Sequence, residues 1–173
     1  IFGVYMPTIL SIETATRACS VSVSKGNEII AVVEEVGDGY SHSENLSIFI
    51  EKALAESNMS YRNLNAVAVS KGPGSYTGLR IGTSTAKGLC YSLDIPLISV
   101  PTLQAMAYGL SASSKFTNET LFCPMIDARR MEVYSAFYSK DNDLVRDTQA
   151  DIINENSYLN YLITSEVIFF GDG

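Results

Sequence analysis

Residues Ile9–Ile29, Ile-Leu-Ser-Ile-Glu-Thr-Ala-Thr-Arg-Ala-Cys-Ser-Val-Ser-Val-Ser-Lys-Gly-Asn-Glu-Ile, hold two strands and the start of a third. An apolar run leads to Glu13. Cys19, Val21 and Val23 then alternate with Ser20, Ser22 and Ser24, the period of two that a half-buried strand imposes. Lys25-Gly26-Asn27 is a hairpin turn into the third strand. The pattern returns later in the chain: Ile9–Ile29 can be laid over Cys123–Leu144 (CPMIDARRMEVYSAFYSKDNDL). Glu13 then falls on Asp127, each at the end of a first strand, and the two Lys turns match within one residue.

Working outward, the pattern gives strands at about 7–13, 18–24 and 28–35. Ser41-His42-Ser43-Glu44 reads as a capping box, and Leu46, Phe49, Ile50, Ala53 and Leu54 mark one face of the helix that follows. Strand 66–70, a helix over about 76–93, strand 96–100 and a helix from Thr102 complete a β-β-β-α-β-α-β-α order. That is the order of a ribonuclease H-like half. After a helix at roughly 152–163, strand Val167–Phe170 and Gly171-Asp172-Gly173 echo Val67–Gly74. The expected fold is α/β, with duplicated ribonuclease H-like lobes of the actin-like ATPase and sugar kinase architecture. The expected divisions are a leader at 1–5 foreign to the fold, an N-terminal lobe at 6–101, and a C-terminal lobe at 102–173 that stops unfinished.

Residues 66–82 (AVAVSKGPGSYTGLRIG) join a strand to a helix through Gly72, Pro73 and Gly74. Ser75 or Thr77 caps a helix expected to open near Gly78, and its free N–H groups suit an anion or an acidic side chain. This segment resembles a motif of the bacterial TsaB family, also called YeaZ. Ile9–Val23, Ser41–Leu54, Leu97–Ala107 and Pro124–Phe137 are similar to that family in the same order and cover most of the chain from Met6 onward.

The resemblance implies a partner subunit in the synthesis of threonylcarbamoyladenosine in tRNA. It would be non-catalytic itself and paired with the catalytic paralogue TsaD and the small ATPase TsaE, or with a second copy when alone. Members of the family pair through the two helices of the N-terminal lobe. The implied contact residues are His42, Leu46, Ile50, Gly72, Pro73, Gly74, Tyr76, Thr77, Gly78, Arg80, Gly82 and Ala86.

The residues leave two readings of the hairpin at Glu13, Thr14 and Thr16, with Asp127 as its counterpart. Actin-like ATPases place acidic and hydroxyl groups there around nucleotide phosphate; the alternative, favoured here, is a polar hairpin whose hydroxyls satisfy the backbone. Gly72–Gly78 is no phosphate-binding P-loop, because five residues rather than four separate the glycines and Leu79 replaces the lysine. Gly78, Gly82, Ala86 and Cys90 recur every four residues. Each interior glycine costs a helix about 0.8–1 kcal/mol, so the ridge needs a close contact, with the chain's own sheet or with another subunit's helix. His42 is the only histidine. Leu46 stands where a second metal ligand would fall, so a metalloprotease is not supported, and no G-x-S-x-G elbow accompanies the single histidine to support a Ser-His-Asp hydrolase. No metal or cofactor is expected. Arg129 and Arg130 read as a solvated turn, and Arg80 as a contact for an acidic group.

Composition narrows the partners. The chain has 173 residues, 46% hydrophobic and 18% charged, with a net charge of −7. Such a balance folds, but it does not grip a phosphate backbone, so contact with tRNA is expected only through a partner. Cys19, Cys90 and Cys123, odd in number and widely spaced, suit reduced thiols in a cytoplasm. No apolar run approaches the ~20 residues of a membrane helix. A rival reading makes the chain an enzyme, either a glycoprotease-like peptidase or an ATPase of the actin-like fold.

Overall fold

The computed structural model describes residues 6–36, 42–112 and 115–173, excepting the side chains of His42 and Ser43. The chain divides between Val100 and Pro101 into two compact units. The capping box expected at Ser41–Glu44 and the side chain of His42 lie outside the described residues.

In the first unit, β1 (Thr8–Glu13), β2 (Ala18–Lys25), β3 (Glu28–Val36), β4 (Ala66–Ser70) and β5 (Leu97–Val100) form one sheet in the order β3-β2-β1-β4-β5. β1, β2 and β3 are antiparallel neighbours; β4 lies parallel to both β1 and β5. The register places Leu10 beside Val23 on one side and Val67 on the other, so the apolar positions of adjacent strands share a face. Against that face pack α1 (His42–Glu56), through Leu46, Ile50, Ala53 and Leu54, and α2 (Tyr76–Leu93), through Ala86. Full burial of side chains this size contributes about 1.5–3 kcal/mol each, which makes this cluster the anchor of the unit. Ser20, Ser22 and Ser24 sit half-buried on the opposite face.

The second unit repeats the first four positions of this arrangement. α3 (Thr102–Ser111) precedes β6 (Thr120–Arg129), β7 (Glu132–Tyr138), β8 (Leu144–Ile152), α4 (Leu159–Leu162) and β9 (Glu166–Gly171). Their sheet runs β8-β7-β6-β9, antiparallel except for the parallel pair β6 and β9. Leu103 and Ala107 of α3 pack on Phe122, Ile126, Ala136 and Tyr138. The two sheets make the fold a duplicated ribonuclease H-like one.

Two expectations need correction. The helix expected at about 152–163 shrinks to Leu159–Leu162, because residues up to Ile152 pair with β7 as β8. Asn154 and Ser157 then bond the backbone of their own turn, the local competition that keeps such residues out of helices. Asp127 does not close its strand: β6 continues past a bulge to Arg129, whereas β1 stops at Glu13. α2 starts at Tyr76, as its expected span of about 76–93 has it, and of the two cap candidates Ser75 serves, its hydroxyl accepting from the Gly78 N–H at 3.3 Å.

The small-residue ridge of α2 faces inward. Gly78, Gly82 and Ala86 are buried against the unit's own sheet. A Cβ on Gly82 would collide with the hydroxyl of Thr14 and touch Ile12. Gly88, on the outer side, has open space where a Cβ would stand. Substitution of Gly82 by Leu is therefore expected to unfold the first unit or cost it several kcal/mol, about 3 or more from overpacking. Gly88→Ala should stabilise it by about 0.5–1 kcal/mol. Chemical denaturation of the two variants beside the parent checks both signs.

Candidate functional site

The end of β1, the turn after it and the loop between β4 and α2 meet in one place. Glu13 is the last residue of β1, and Ser70 is the last of β4. The Ser70 hydroxyl donates to one Glu13 carboxylate oxygen, and the Ala15 N–H donates to the other at 2.6 Å. Thr16 caps its own turn by accepting from the Ala18 N–H at 3.3 Å. Thr14, buried, donates to the Gly78 carbonyl at 2.8 Å and so ties the turn to the first turn of α2. The Ser75 N–H donates to the Ala15 carbonyl at 2.6 Å. Gly72-Pro73 is a cis peptide, and Gly74 has φ +155 with its Cα so close to Ala15 that any side chain would strike the Ala15 carbonyl. Only glycine fits there.

This cluster brings together Glu13, Thr14, Thr16, Gly72, Pro73, Gly74 and Gly78, all named from the sequence. It uses them on one another. Each Glu13 oxygen accepts a bond from the chain itself, and the Thr14 hydroxyl is spent on a carbonyl. The arrangement clasps two strand ends and a helix start together.

Asp127 belongs to the second unit. Its carboxylate accepts the Arg129 N–H at 2.7 Å, and its own N–H donates to Asp172 at 3.4 Å. It is exposed, as are Arg129 and Arg130. Arg129, Arg130 and Met131 all have positive φ, at 67°, 55° and 66°, which costs about 1–2 kcal/mol per residue without glycine.

Of the residues named for a partner, Gly72, Pro73 and Gly74 are half-buried in the loop before α2, the side chain of His42 lies outside the described residues, and the rest divide in two. Leu46 and Ile50 are 2% exposed, and Gly78, Gly82 and Ala86 are buried, so these five belong to the core and are not contact surface. Tyr76, Thr77 and Arg80 are exposed, Tyr76 at 74%. Arg80 lies 5.4 Å from the Tyr76 ring centroid and donates to its hydroxyl at 3.4 Å, a cation–π pair that holds both side chains in place. With Leu79, Thr83, Ser84 and Lys87 they line a shallow groove of about 340 Å³ along α2. Ser84 and Lys87 were not singled out from the sequence. Their spacing of four and seven residues from Arg80 was the available signal.

A second polar cluster was also missed, and it lies in the second unit. Arg146 and Asp151 pair at 2.6 Å across β8, and Ser135 and Tyr158 donate to the same carboxylate at 2.6 and 2.8 Å. Arg146 also lies over the rings of Phe137 and Tyr158. Burial alone would raise Asp151, but the bonds from Arg146, Ser135 and Tyr158 outweigh it and hold its pKa below the ordinary value. Burial pushes the neighbouring Cys123 thiol up to about 12, which Arg146 and Ser135 offset only in part. Such a thiol is inert at neutral pH. The three cysteines are all free thiols. Among the described residues, no group of three or more His, Cys, Asp or Glu side chains is placed to hold a metal, and no helix is long and apolar enough to cross a membrane.

Known proteins sharpen this picture. A family model described as "TsaD: tRNA N6-adenosine threonylcarbamoyltransferase" matches residues 38–161. The "tRNA threonylcarbamoyladenosine biosynthesis protein TsaB" of Escherichia coli (strain K12) is 37% identical over 135 residues, 78% of this chain and 56% of its own. The protein of the same description from Bacillus subtilis (strain 168) is 33% identical over 144 residues, 83% of this chain and 60% of its own. The chain belongs to the TsaB family. The solved structure described as YeaZ from Pseudomonas aeruginosa is 27% identical, covers 84% of this chain and 66% of that one, and superposes with a TM-score of 0.70. This TsaB-family chain thus spans less than two thirds of the length of the two curated relatives, 56% and 60%.

The Arg146–Asp151 cluster makes a test of the second unit. Asp151 has a depressed pKa when folded, so its contribution is fully present above the ordinary value of 3.8 and is lost as the pH falls through the lowered one. Arg146→Met should cost about 2–3 kcal/mol at pH 7, less than the ~3–5 of a fully buried pair because both side chains keep some solvent contact. The difference from the parent should narrow below pH 3.8. Denaturation midpoints at pH 7 and in acid read both effects.

Proposed function

We propose that this chain acts as a partner subunit in tRNA threonylcarbamoylation, organising a catalytic relative of the TsaD type and doing no chemistry itself. The small ATPase TsaE joins the same assembly, and tRNA is reached only through these partners, inside the cytoplasm. The observation that carries this reading is the closed clasp at Glu13 in a chain of the TsaB family. Groups that would face a nucleotide phosphate in an actin-like ATPase hold the strand ends to one another here. Among the described residues, the outer surface of α1 and α2 is one face open to a partner, with Ile48 58% exposed, Tyr76 74% and Tyr91 93%. Exposed aromatic and arginine side chains of this kind are enriched among residues that dominate binding energy. The chain's acidity fits the same division of labour, since a surface with net charge −7 repels a phosphate backbone.

The test is a reconstituted reaction with the catalytic and ATPase subunits, read by formation of threonylcarbamoyladenosine and by calorimetry of subunit binding. Tyr76→Ala combined with Arg80→Glu should weaken binding to the catalytic subunit by about tenfold or more, the equivalent of ~1.4 kcal/mol. Asp127→Asn should leave both readouts unchanged. Product lost in Asp127→Asn with binding intact would place chemistry in this chain and overturn the proposal.

A further inference from the structure

The hairpin between β6 and β7 departs from the chemistry its turn prefers. Arg129 pairs with Glu132 across the two strands, which leaves Arg130 and Met131 as a two-residue loop. Both have positive φ, at 55° and 66°, and Arg129 before them has 67°. Hairpin loops with two positive φ values favour Asn-Gly or Asp-Gly, because larger side chains crowd the backbone there. The rest of the chain keeps to such residues. The turn into β3 uses Gly26, and Asn58, Asp94 and Asn142 take the other left-handed non-glycine positions but one. The exception is Tyr158, whose hydroxyl donates to Asp151 and whose ring stacks on Phe169. Nothing comparable holds the tip. Met131 is 85% exposed, and among the described residues no ion pair or ring contact engages the guanidinium of Arg129 or Arg130. Glu132 stands opposite Arg129 without an ion pair, and the Asp127 carboxylate accepts the Arg129 N–H instead.

From three unsuited residues in succession at an exposed tip we infer that this hairpin is a docking element, and that it takes a protein surface with carboxylates set around an apolar recess. The inference rests on the reading of the chain as a partner subunit and adds a second point of contact, on the second unit. A conformation that costs the fold stability and serves no contact within it is accounted for by binding. The side chains then define the occupant. Each guanidinium offers a planar fork of donors that matches a carboxylate or a phosphate in two bonds at once. Met131 is apolar and adaptable, a residue type enriched in interfaces. A phosphate backbone would answer the two arginines. It would also leave Met131 in water and meet the carboxylates of Asp127 and Asp172 at the base of the tip. A protein surface with Asp or Glu side chains beside an apolar hollow answers all three residues. The short loop presents them already ordered, so little conformational freedom is lost on docking.

The test exchanges the loop for the pair its conformation favours, Arg130→Asn with Met131→Gly, in the full chain. Relieved of the crowded side chains, this variant should melt about 4 °C or more above the parent. Calorimetry then measures parent and variant against the catalytic and the ATPase subunits separately. The dissociation constant for one of the two should rise about tenfold or more. Arg129→Lys with Arg130→Lys keeps the charge but loses the fork, and should fall between parent and loop variant. A loop variant that binds both subunits as the parent does would overturn the inference and leave the partner reading standing. One no more stable than the parent would overturn it too, since the loop would then serve the fold. Purified tRNA held by the parent alone and released by the variant would overturn it in favour of a phosphate occupant. A parent that binds neither subunit would sink this inference and the partner reading together. Binding that depends on the tip, in an assembly where Asp127→Asn abolishes product, would sink the non-catalytic reading and leave the contact standing.

Discussion

Much of the first unit hangs on how closely the turn after β1 approaches the start of α2. Thr14 reaches the Gly78 carbonyl only because Gly82, one turn further along, has no side chain to block it. Ala15 lies against Gly74 under the same condition, and its carbonyl fixes the Ser75 N–H that begins the helix. Ser75 in turn caps Gly78. Two glycines, a threonine and a serine thus set the height of the helix above the sheet. With α2 at that height, Ala86 meets the apolar face of the strands and α1 can close the remainder of the layer. The cost is conformational, since each glycine in the helix gives up some helix propensity. The buried hydrogen bond and the packed core offset it.

The strands were the most legible part of the sequence, for a reason specific to these residues. Cys19, Val21 and Val23 face a packed layer while Ser20, Ser22 and Ser24 do not, so the alternation is nearly free of exceptions. The duplication was legible in part by the same token, because Glu132–Tyr138 begins with the alternation of β2 before both faces become buried from Ser135 onward. The glycine ridge of α2 announced a close contact without saying with what. A period of four marks a face and carries no sign of whether that face looks at a sheet or at solvent. Leu46 and Ile50 raised the same ambiguity, since a residue buried in a core and one buried under a partner look alike in a sequence. The segment after β8 failed for another cause. Its helix-like apolar spacing competes with Asn154 and Ser157, whose side chains satisfy the backbone locally.

The two halves also show how a duplicated plan diverges. In the first, the acidic residue at the strand end is engaged by Ser70 and by a neighbouring N–H. In the second, the strand runs on, and Asp127 is left exposed, capping a tip of three left-handed residues. The polar investment of the second half lies instead between β7 and β8, where Arg146, Asp151, Ser135 and Tyr158 satisfy one another beneath aromatic rings. Each half keeps the topology and relocates the interactions that secure it.

The edge of the first sheet carries a consequence for the protein in concentrated solution. β3 is an outer strand of nine residues, with Ile29, Ile30, Val32 and Val36 between 40% and 76% exposed. A long apolar edge is a template on which further chains add their own strands and grow into aggregates. Glu28, Glu34 and Glu35 lie on that same strand. Their mutual repulsion between molecules acts as a colloidal guard. The acidity of this strand therefore keeps copies of the chain from stacking edge to edge, a protection that concentrated salt removes.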